Sequence, residues 1–326
     1  MDTRGMIEIE VDLPGEGALA GMGEVVREGL SSPFKELPPK YFYDERGSAL
    51  FERITEQPEY YLTRCEREIL ADRAAEIVAA TRPRTLIELG SGAATKSRVL
   101  LDAMDDVGSL ERFVPVDISE AITRRAAGEL VAEYPGLAVT GIVCDYETHL
   151  ERIPRPEGAL IAFLGGTIGN FRPAERRSFL ARIATLMYPG DRFLLGTDLV
   201  KDRPRLEAAY NDAAGVTAEF NKNVLNVLNR ELDADFDPAA FEHVAFWDAD
   251  NEWIDIRLRT LTEQFVDLRA LDMRTHFARN EEMRTEISTK FTRERIESSY
   301  ADVGLELTDW WTDSGGLFAL SLARPL

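Results

Sequence analysis

The chain is poor in cysteine: Cys65 and Cys144 are the only two in 326 residues. No disulfide framework and no cysteine metal centre can be built from them. Histidine is nearly as scarce, and His149, His243 and His276 lie far apart without metal-ligand spacing, so no metal is expected. Positive charge is short as well. Lys and Arg number 38 against 58 Asp and Glu, for a net charge of −20. A protein that grips a phosphate backbone needs the opposite balance, so nucleic acid is not an expected partner, and the acidity reads as solubility. There is no run of eighteen apolar residues, and the N-terminus lacks the apolar core of a signal peptide. Neither a membrane partner nor export is expected; the expectation is a soluble, cytoplasmic protein. No heptad or large apolar stripe asks for a second chain, so a monomer is expected. What is abundant is core-forming material. A hydrophobic fraction of 44% with 9% aromatics suits one large globular domain or two modest ones.

The chain is organised around Thr85-Leu-Ile-Glu-Leu-Gly-Ser-Gly-Ala-Ala-Thr-Lys96. An apolar strand enters a glycine turn and a helix opens behind it. Glycine permits positive φ and close approach to bare backbone, while the opening helix aims unpaired N–H groups at the same place. This is the first βα turn of a doubly wound α/β sheet. A dinucleotide site wants a third glycine, but Thr95 stands there. Glu88, just before the turn, would repel a pyrophosphate and attract a cation. S-adenosyl-L-methionine carries a sulfonium and an ammonium and no phosphate. The turn therefore resembles the first motif of class I S-adenosylmethionine-dependent methyltransferases, which have a Rossmann-like fold.

Taken in order, residues 1–22 read as a loose arm and 23–30 as a short helix. The stretch 37–61 is rich in rings, and tyrosines beside turns and prolines are binding candidates because each hydroxyl needs a partner. Thr63-Arg-Cys-Glu66 reads as a capping box opening a helix with Ile69, Leu70, Ala74, Ile77 and Val78 on one face. A second strand, 113–117, ends in Asp117, where ribose hydroxyls are commonly held in this fold. A third, 137–144, leads to Asp145-Tyr146, a polar–aromatic pair suited to an adenine. A fourth begins at Ala159 and exits through Gly165, Gly166 and Gly169 to Asn170, whose amide can donate and accept at once. A helix over 173–187 and a fifth strand over 192–200 follow. From 201 to about 283 the strand–helix alternation lapses into an insertion, with a helix over 205–227 and strands within 247–271. Thereafter a helix over 292–303 and strands over 305–311 and 318–324 complete the main domain.

Together these stretches are similar to one family, the histidine-specific Nα-methyltransferases of ergothioneine biosynthesis, which trimethylate L-histidine to hercynine. The motifs are L-P-P-K-Y-F-Y-D-E-R-G-S-A-L-F-E-R-I-T-E-Q-P-E-Y-Y, E-L-G-S-G-A-A-T-K, F-L-G-G-T-I-G-N, G-T-D-L-V-K-D, Y-N-D-A-A-G-V-T-A-E-F-N, F-E-H-V-A-F-W and W-W-T-D. They run in order from Leu37 to near the C-terminus. The resemblance implies that Gly90, Lys96, Asp117, Asp145 and Tyr146 contact S-adenosyl-L-methionine. It implies that Tyr60, Asn170, Tyr210, Glu286 and Ser288 contact histidine, and that Tyr43 lies near the substrate amine. Tyr146 replaces a frequent phenylalanine, Gly166 a frequent serine that would stiffen its loop, and Leu62 the proline usual after Tyr-Tyr.

Glu286 and Ser288 are two apart on an extended segment and so share a face. A carboxylate and a hydroxyl there suit the two nitrogens of an imidazole, one as acceptor and one as adaptable partner. Tyr210 and Asn170 suit the carboxylate. Methyl transfer to an amine depends on alignment and water exclusion; no dedicated base is evident, so protons are expected to leave through water near Tyr43 and Asn170. The expected architecture is a methyltransferase domain of residues 64–200 and 286–326. A substrate-binding domain of residues 1–63 and 201–285 is expected to form a lid. The rival readings are an Nα-methyltransferase for an indole amino acid, which would want apolar groups at 286 and 288, an NAD-dependent oxidoreductase, and a non-catalytic binding protein.

Overall fold

The computed structural model describes residues 6–11, 15–154 and 156–326. Its contacts divide into two compact units. The first contains an N-terminal strand, Leu62–Val200 and Phe291–Leu326. The second contains the chain from Gly15 to Tyr61 and Lys201–Lys290.

The first unit is built on an eight-stranded sheet. Its strands lie in the order Ile7–Val11, Ala138–Val143, Arg112–Asp117, Thr85–Leu89, Ala159–Phe163, Arg192–Asp198, Phe318–Pro325 and Leu305–Thr312. The first six pair in parallel; Phe318–Pro325 runs antiparallel to both its neighbours. Parallel strands covered on both faces are mostly apolar, and every residue of Thr85–Leu89 and of Ala159–Phe163 is buried, Thr85 and Glu88 being the polar exceptions. Ile87, Leu89, Ile161 and Phe163 pack with Phe179, Leu180 and Ile183 of the helix Pro173–Leu186. Strand order reverses on either side of Thr85–Leu89, and in such sheets ligands lie at the carboxyl ends of the strands beside that reversal. Here those ends are Leu89, Asp117 and Phe163. This is the Rossmann-like order expected of a class I methyltransferase.

The second unit is built on a four-stranded sheet in the order Lys35–Glu36, Glu282–Thr289, Trp253–Thr260 and Phe241–Asp248. A hairpin of Gln264–Leu268 and Met273–Phe277 adds a second, two-stranded sheet. The helices Glu45–Thr55 and Val216–Glu231 pack together.

Several expectations need correction. The loose arm falls partly on residues 1–5 and 12–14, outside the described residues; of the remainder, Ile7–Val11 is a sheet strand and Gly15–Ser31 a helix. The helix read over 205–227 is two, Arg203–Ala209 and Val216–Glu231. Asp212 interrupts it: its carboxylate accepts the N–H groups of Val216 and Thr217, each at 2.8 Å, capping the second helix. The capping box at Thr63 is not made. The helix begins at Leu62, and Glu66 turns its carboxylate toward Lys96 and Gly165. The change of unit at the second junction falls after Lys290, because the strand Glu282–Thr289 completes the second unit's sheet before the chain returns at Phe291.

Candidate active site

The cofactor-side residues gather at the carboxyl ends of the first unit's strands. Gly90 and Gly92 take φ of +69° and +51°, a conformation other residues resist. The turn is tied to the neighbouring strand, where Val116 O accepts Gly90 N–H at 2.8 Å and Ser91 N–H at 3.2 Å. Asp117 completes the clamp: one oxygen accepts Gly92 N–H at 2.8 Å and the other Ser119 N–H at 2.9 Å. Burial raises the Asp117 carboxyl above its ordinary range, opposed by hydrogen bonds from Ser119, Gly92 and Ile118. Three hydrogen bonds leave one of the carboxylate's four lone pairs, so it can brace the turn and still accept from a ribose. Asp145 caps the short helix Tyr146–His149 by accepting Glu147 N–H at 2.9 Å. The Tyr146 ring meets Phe163 edge-on with centroids 5.6 Å apart. Asn170 ends the single turn Thr167–Asn170, half-buried on the loop that leaves Phe163. Gly166, at φ +72°, opens that turn, so the frequent serine would be strained there.

Glu88 does not offer an anionic charge to the turn. It is 3% exposed, accepts the Ser97 hydroxyl, and burial pushes its carboxyl up to about 8, which leaves it mostly protonated at neutral pH. The anion beside Lys96 is Glu66, fully buried at 0% exposed. Its other oxygen accepts Gly165 N–H at 2.7 Å. A Cβ on Gly196 would lie 2.2 Å from that same oxygen, so glycine in the strand Arg192–Asp198 is what admits the carboxylate. Glu66 thus fixes both Lys96 and the loop bearing Asn170. The S/T-x-x-E pattern concealed this role, since it accounts for Glu66 locally. The turn, the Asp117 carboxylate and the Lys96 ammonium together fit S-adenosyl-L-methionine: a hydroxyl acceptor, exposed backbone, and a cation for its carboxylate.

The substrate-side residues, apart from Asn170, gather in the second unit. Tyr43 stands between two points held by one side chain, because Asn223 Nδ2 donates to Phe42 O at 3.2 Å and to Asp44 at 2.8 Å. Burial works against the ionised Asp44, but hydrogen bonds from Gly47, Arg230 and Asn223 hold its carboxyl below the usual range. Ring contacts continue from Tyr43 to Phe51 (5.7 Å), from Phe51 to Tyr60 (6.2 Å) and from Tyr60 to Tyr210 (6.3 Å). The Tyr210 hydroxyl lies 2.8 Å from Ser288 Oγ. Lys290, 0% exposed, donates from Nζ to both oxygens at 2.8 Å. Glu286 lies two residues before Ser288 in register with Ile256, and Ser288 with Ile254. Behind Tyr210, its carbonyl oxygen lies 2.8 Å from His243 Nε2. Asn221 Nδ2 reaches His243 Nδ1 at 2.9 Å and Arg257 O at 3.0 Å, while Asn221 Oδ1 accepts the Thr285 hydroxyl at 2.6 Å. With both amide hydrogens so used, His243 Nδ1 is the acceptor and Nε2–H the donor. Burial lowers the His243 pKa, in keeping with a neutral ring.

Lys290 and His243 went unassigned in the sequence. The signal for Lys290 was its place, at two-residue spacing after Glu286 and Ser288; His243 lies in the F-E-H-V-A-F-W motif without a spacing that implies a role.

A family model described as histidine-specific methyltransferase, SAM-dependent, matches residues 22–325. The chain belongs to this family. The methyltransferase is 52% identical to a histidine N-alpha-methyltransferase of Mycolicibacterium smegmatis, over 95% of this chain and 97% of that protein. It is 50% identical to a histidine N-alpha-methyltransferase of Mycobacterium tuberculosis, over 91% and 93%. Ergothioneine biosynthesis protein 1 of Neurospora crassa is 30% identical over 89% of this chain, which spans 33% of that longer protein.

Proposed function

We propose that this methyltransferase transfers three methyl groups to the α-amino nitrogen of L-histidine, giving hercynine, a step of ergothioneine biosynthesis. The observation that carries the reading is the placing of Glu286 and Ser288 two apart on one strand, with the Tyr210 hydroxyl 2.8 Å from Ser288 Oγ. It offers an acceptor and a hydroxyl to a ring with two nitrogens. The names and extent of the relatives at 52% and 50% identity support the same substrate.

In this proposal Gly90, Lys96, Asp117, Asp145 and Tyr146 hold S-adenosyl-L-methionine, which supplies an electrophilic methyl on sulfur. Glu286 and Ser288 hold the imidazole; Tyr210 and Asn170 hold the carboxylate; Tyr60 packs against the substrate. Tyr43 and Asn170 orient the neutral amine, whose lone pair must face the methyl in line, and pass the released proton to water. The gain comes from alignment and exclusion of solvent. Aromatic faces favour the increasingly methylated cation. The proposal extends to a cytoplasmic monomer acting on a free small molecule, without nucleic acid or membrane partners; the net charge of −20 supports the first exclusion.

Mass spectrometry tests it. The purified protein is incubated with S-adenosyl-L-methionine and histidine, tryptophan or dimethylhistidine. The expected result is a histidine product about 42 Da heavier, reached through mono- and dimethyl species as successive displacements require. Methylation of tryptophan with histidine untouched would overturn the roles of Glu286 and Ser288.

A further inference from the structure

We propose that His243 is a positioning residue for the substrate site: as a neutral ring with its hydrogen on Nε2, it holds the Tyr210 main chain in place and so sets the affinity for the ligand that Tyr210 grips. The inference rests on Tyr210 being a histidine contact and deepens that reading, which gives His243 no part.

Tyr210 has use for such a support. It follows the helix Arg203–Ala209 and precedes the helix Val216–Glu231, and the closing residue of a helix has no intrahelical donor for its carbonyl. His243, on the strand Phe241–Asp248, supplies one: its Nε2 lies 2.8 Å from the Tyr210 carbonyl oxygen. A carbonyl oxygen only accepts, so Nε2 carries a hydrogen. On the far side of the ring, Asn221 Nδ2 lies 3.0 Å from Arg257 O. That oxygen too can only accept, which settles which end of the amide is the NH₂. The same Nδ2 lies 2.9 Å from His243 Nδ1, and an amide nitrogen donates without accepting, so Nδ1 is bare. The Asn221 oxygen accepts the Thr285 hydroxyl at 2.6 Å.

Two main-chain carbonyls thus fix one tautomer, with no choice left to a hydroxyl. A helix C-terminus alone favours a charged imidazole. Here a hydrogen on Nδ1 would meet the Asn221 N–H, and turning that amide over would set its oxygen against Arg257 O. Of the charges near the ring, Asp212 favours the cation and Lys222 opposes it. Asn221 and Thr285 are each 1% exposed, so a bond lost here is not replaced by one to bulk water. The Tyr210 hydroxyl is 2.8 Å from Ser288 Oγ, and a main chain that drifts carries the phenol away from the strand bearing Glu286 and Ser288.

The test pairs two variants with a measurement on the wild type. A Gln amide ends at about the reach of Nε2 and an Asn amide only at that of Nδ1. His243→Gln keeps an N–H for the Tyr210 carbonyl and should bind L-histidine within about twofold of wild type, whereas His243→Asn should bind about tenfold more weakly, the scale of one buried carbonyl left unpaired. Calorimetry is done with S-adenosyl-L-homocysteine present, so that no methyl moves, and the Kd of that compound should be the same in all three proteins. Nitrogen NMR of the ring-labelled wild type should show a bare Nδ1 and a protonated Nε2 in the histidine whose signals vanish in His243→Gln. Equal affinities for L-histidine in the two folded variants would overturn the proposal. A hydrogen on Nδ1 of the wild-type ring would overturn it even if His243→Asn failed to fold. Failure of the wild type to bind L-histidine at all would instead overturn the substrate reading.

Discussion

Two carboxyl groups on short segments end up with opposite duties. In the proposed function Glu286 accepts from the substrate ring, and a hydrogen bond to a charged group is worth about 1.5–3 kcal/mol. Glu286→Gln is therefore expected to raise KM for histidine by about tenfold or more while leaving the Kd of S-adenosyl-L-methionine unchanged; steady-state kinetics and calorimetry check the two halves. Glu88 is buried and pushed up to about 8 from 4.5. A carboxyl whose folded pKa lies above its unfolded value lends stability that is fully present below pH 4.5 and is lost as pH rises through about 8. The slope is at most about 1.4 kcal/mol per pH unit. Thermal melts of the wild type should fall between pH 6 and pH 9 relative to Glu88→Gln, which has no proton to lose (the window set by the raised carboxyl). A flat wild-type profile would show that Glu88 ionises in the fold as readily as in water. The sequence located both residues and misread one of them. Position at a strand end was legible for Glu88, but its charge depends on what covers it, and the covering Ser97 arrives from the next helix.

Elements explain why the site residues stay where they are. Tyr210 sits in the break between two helices, its carbonyl bonded to His243, which Asn221 and Thr285 orient in turn. Desolvation holds His243 below its ordinary pKa of 6.5, so its contribution to stability is present above pH 6.5 and is lost as pH falls through the lowered value. Acidification below pH 6.5 should destabilise the wild type more than His243→Leu in thermal melts. In the other unit, the ion pair between Glu66 and Lys96 joins a helix to the glycine turn's helix. Glu66→Gln keeps an acceptor for Gly165 and loses the ion pair. Its expected effect is a Kd for S-adenosyl-L-methionine about tenfold weaker, the scale of one charged hydrogen bond, with Lys96→Met giving a loss no smaller. The central strands were legible because burial on both faces leaves a continuous apolar run, as in Ala159–Phe163. The split helix was not, because Asp212 reads as an ordinary polar helix residue until it is seen to cap. The strand Ile7–Val11 carries a period-two signal in I-E-I-E-V, masked by the acidic, glycine-bearing stretch around it.

For the molecule as a whole, the net charge of −20 sets a field that every small ion feels on approach. S-adenosyl-L-methionine is a net cation, and attraction over such distances is screened by salt. Its association rate, read by stopped-flow fluorescence, should fall by roughly two- to fivefold between 10 and 300 mM salt, in line with that screening. A rate indifferent to salt would place the acidic surface away from the approach path.

The strand Ile7–Val11 also has a bearing on how the protein behaves in the tube. It covers the open side of Ala138–Val143, whose backbone would otherwise be a template for another chain's strand. The fit is keyed: a Cβ on Gly141 would lie 2.7 Å from Ile9 Cδ1, so the missing side chain leaves a notch that Ile9 fills. Outside it, Glu8 and Glu10 put charge on the outermost edge, which discourages further stacking. An N-terminal trimming that removes these residues leaves the catalytic groups in place yet uncaps the sheet. Such a preparation would be lost to clumping during storage before its chemistry faded, and an affinity handle is safer at the other end of the chain.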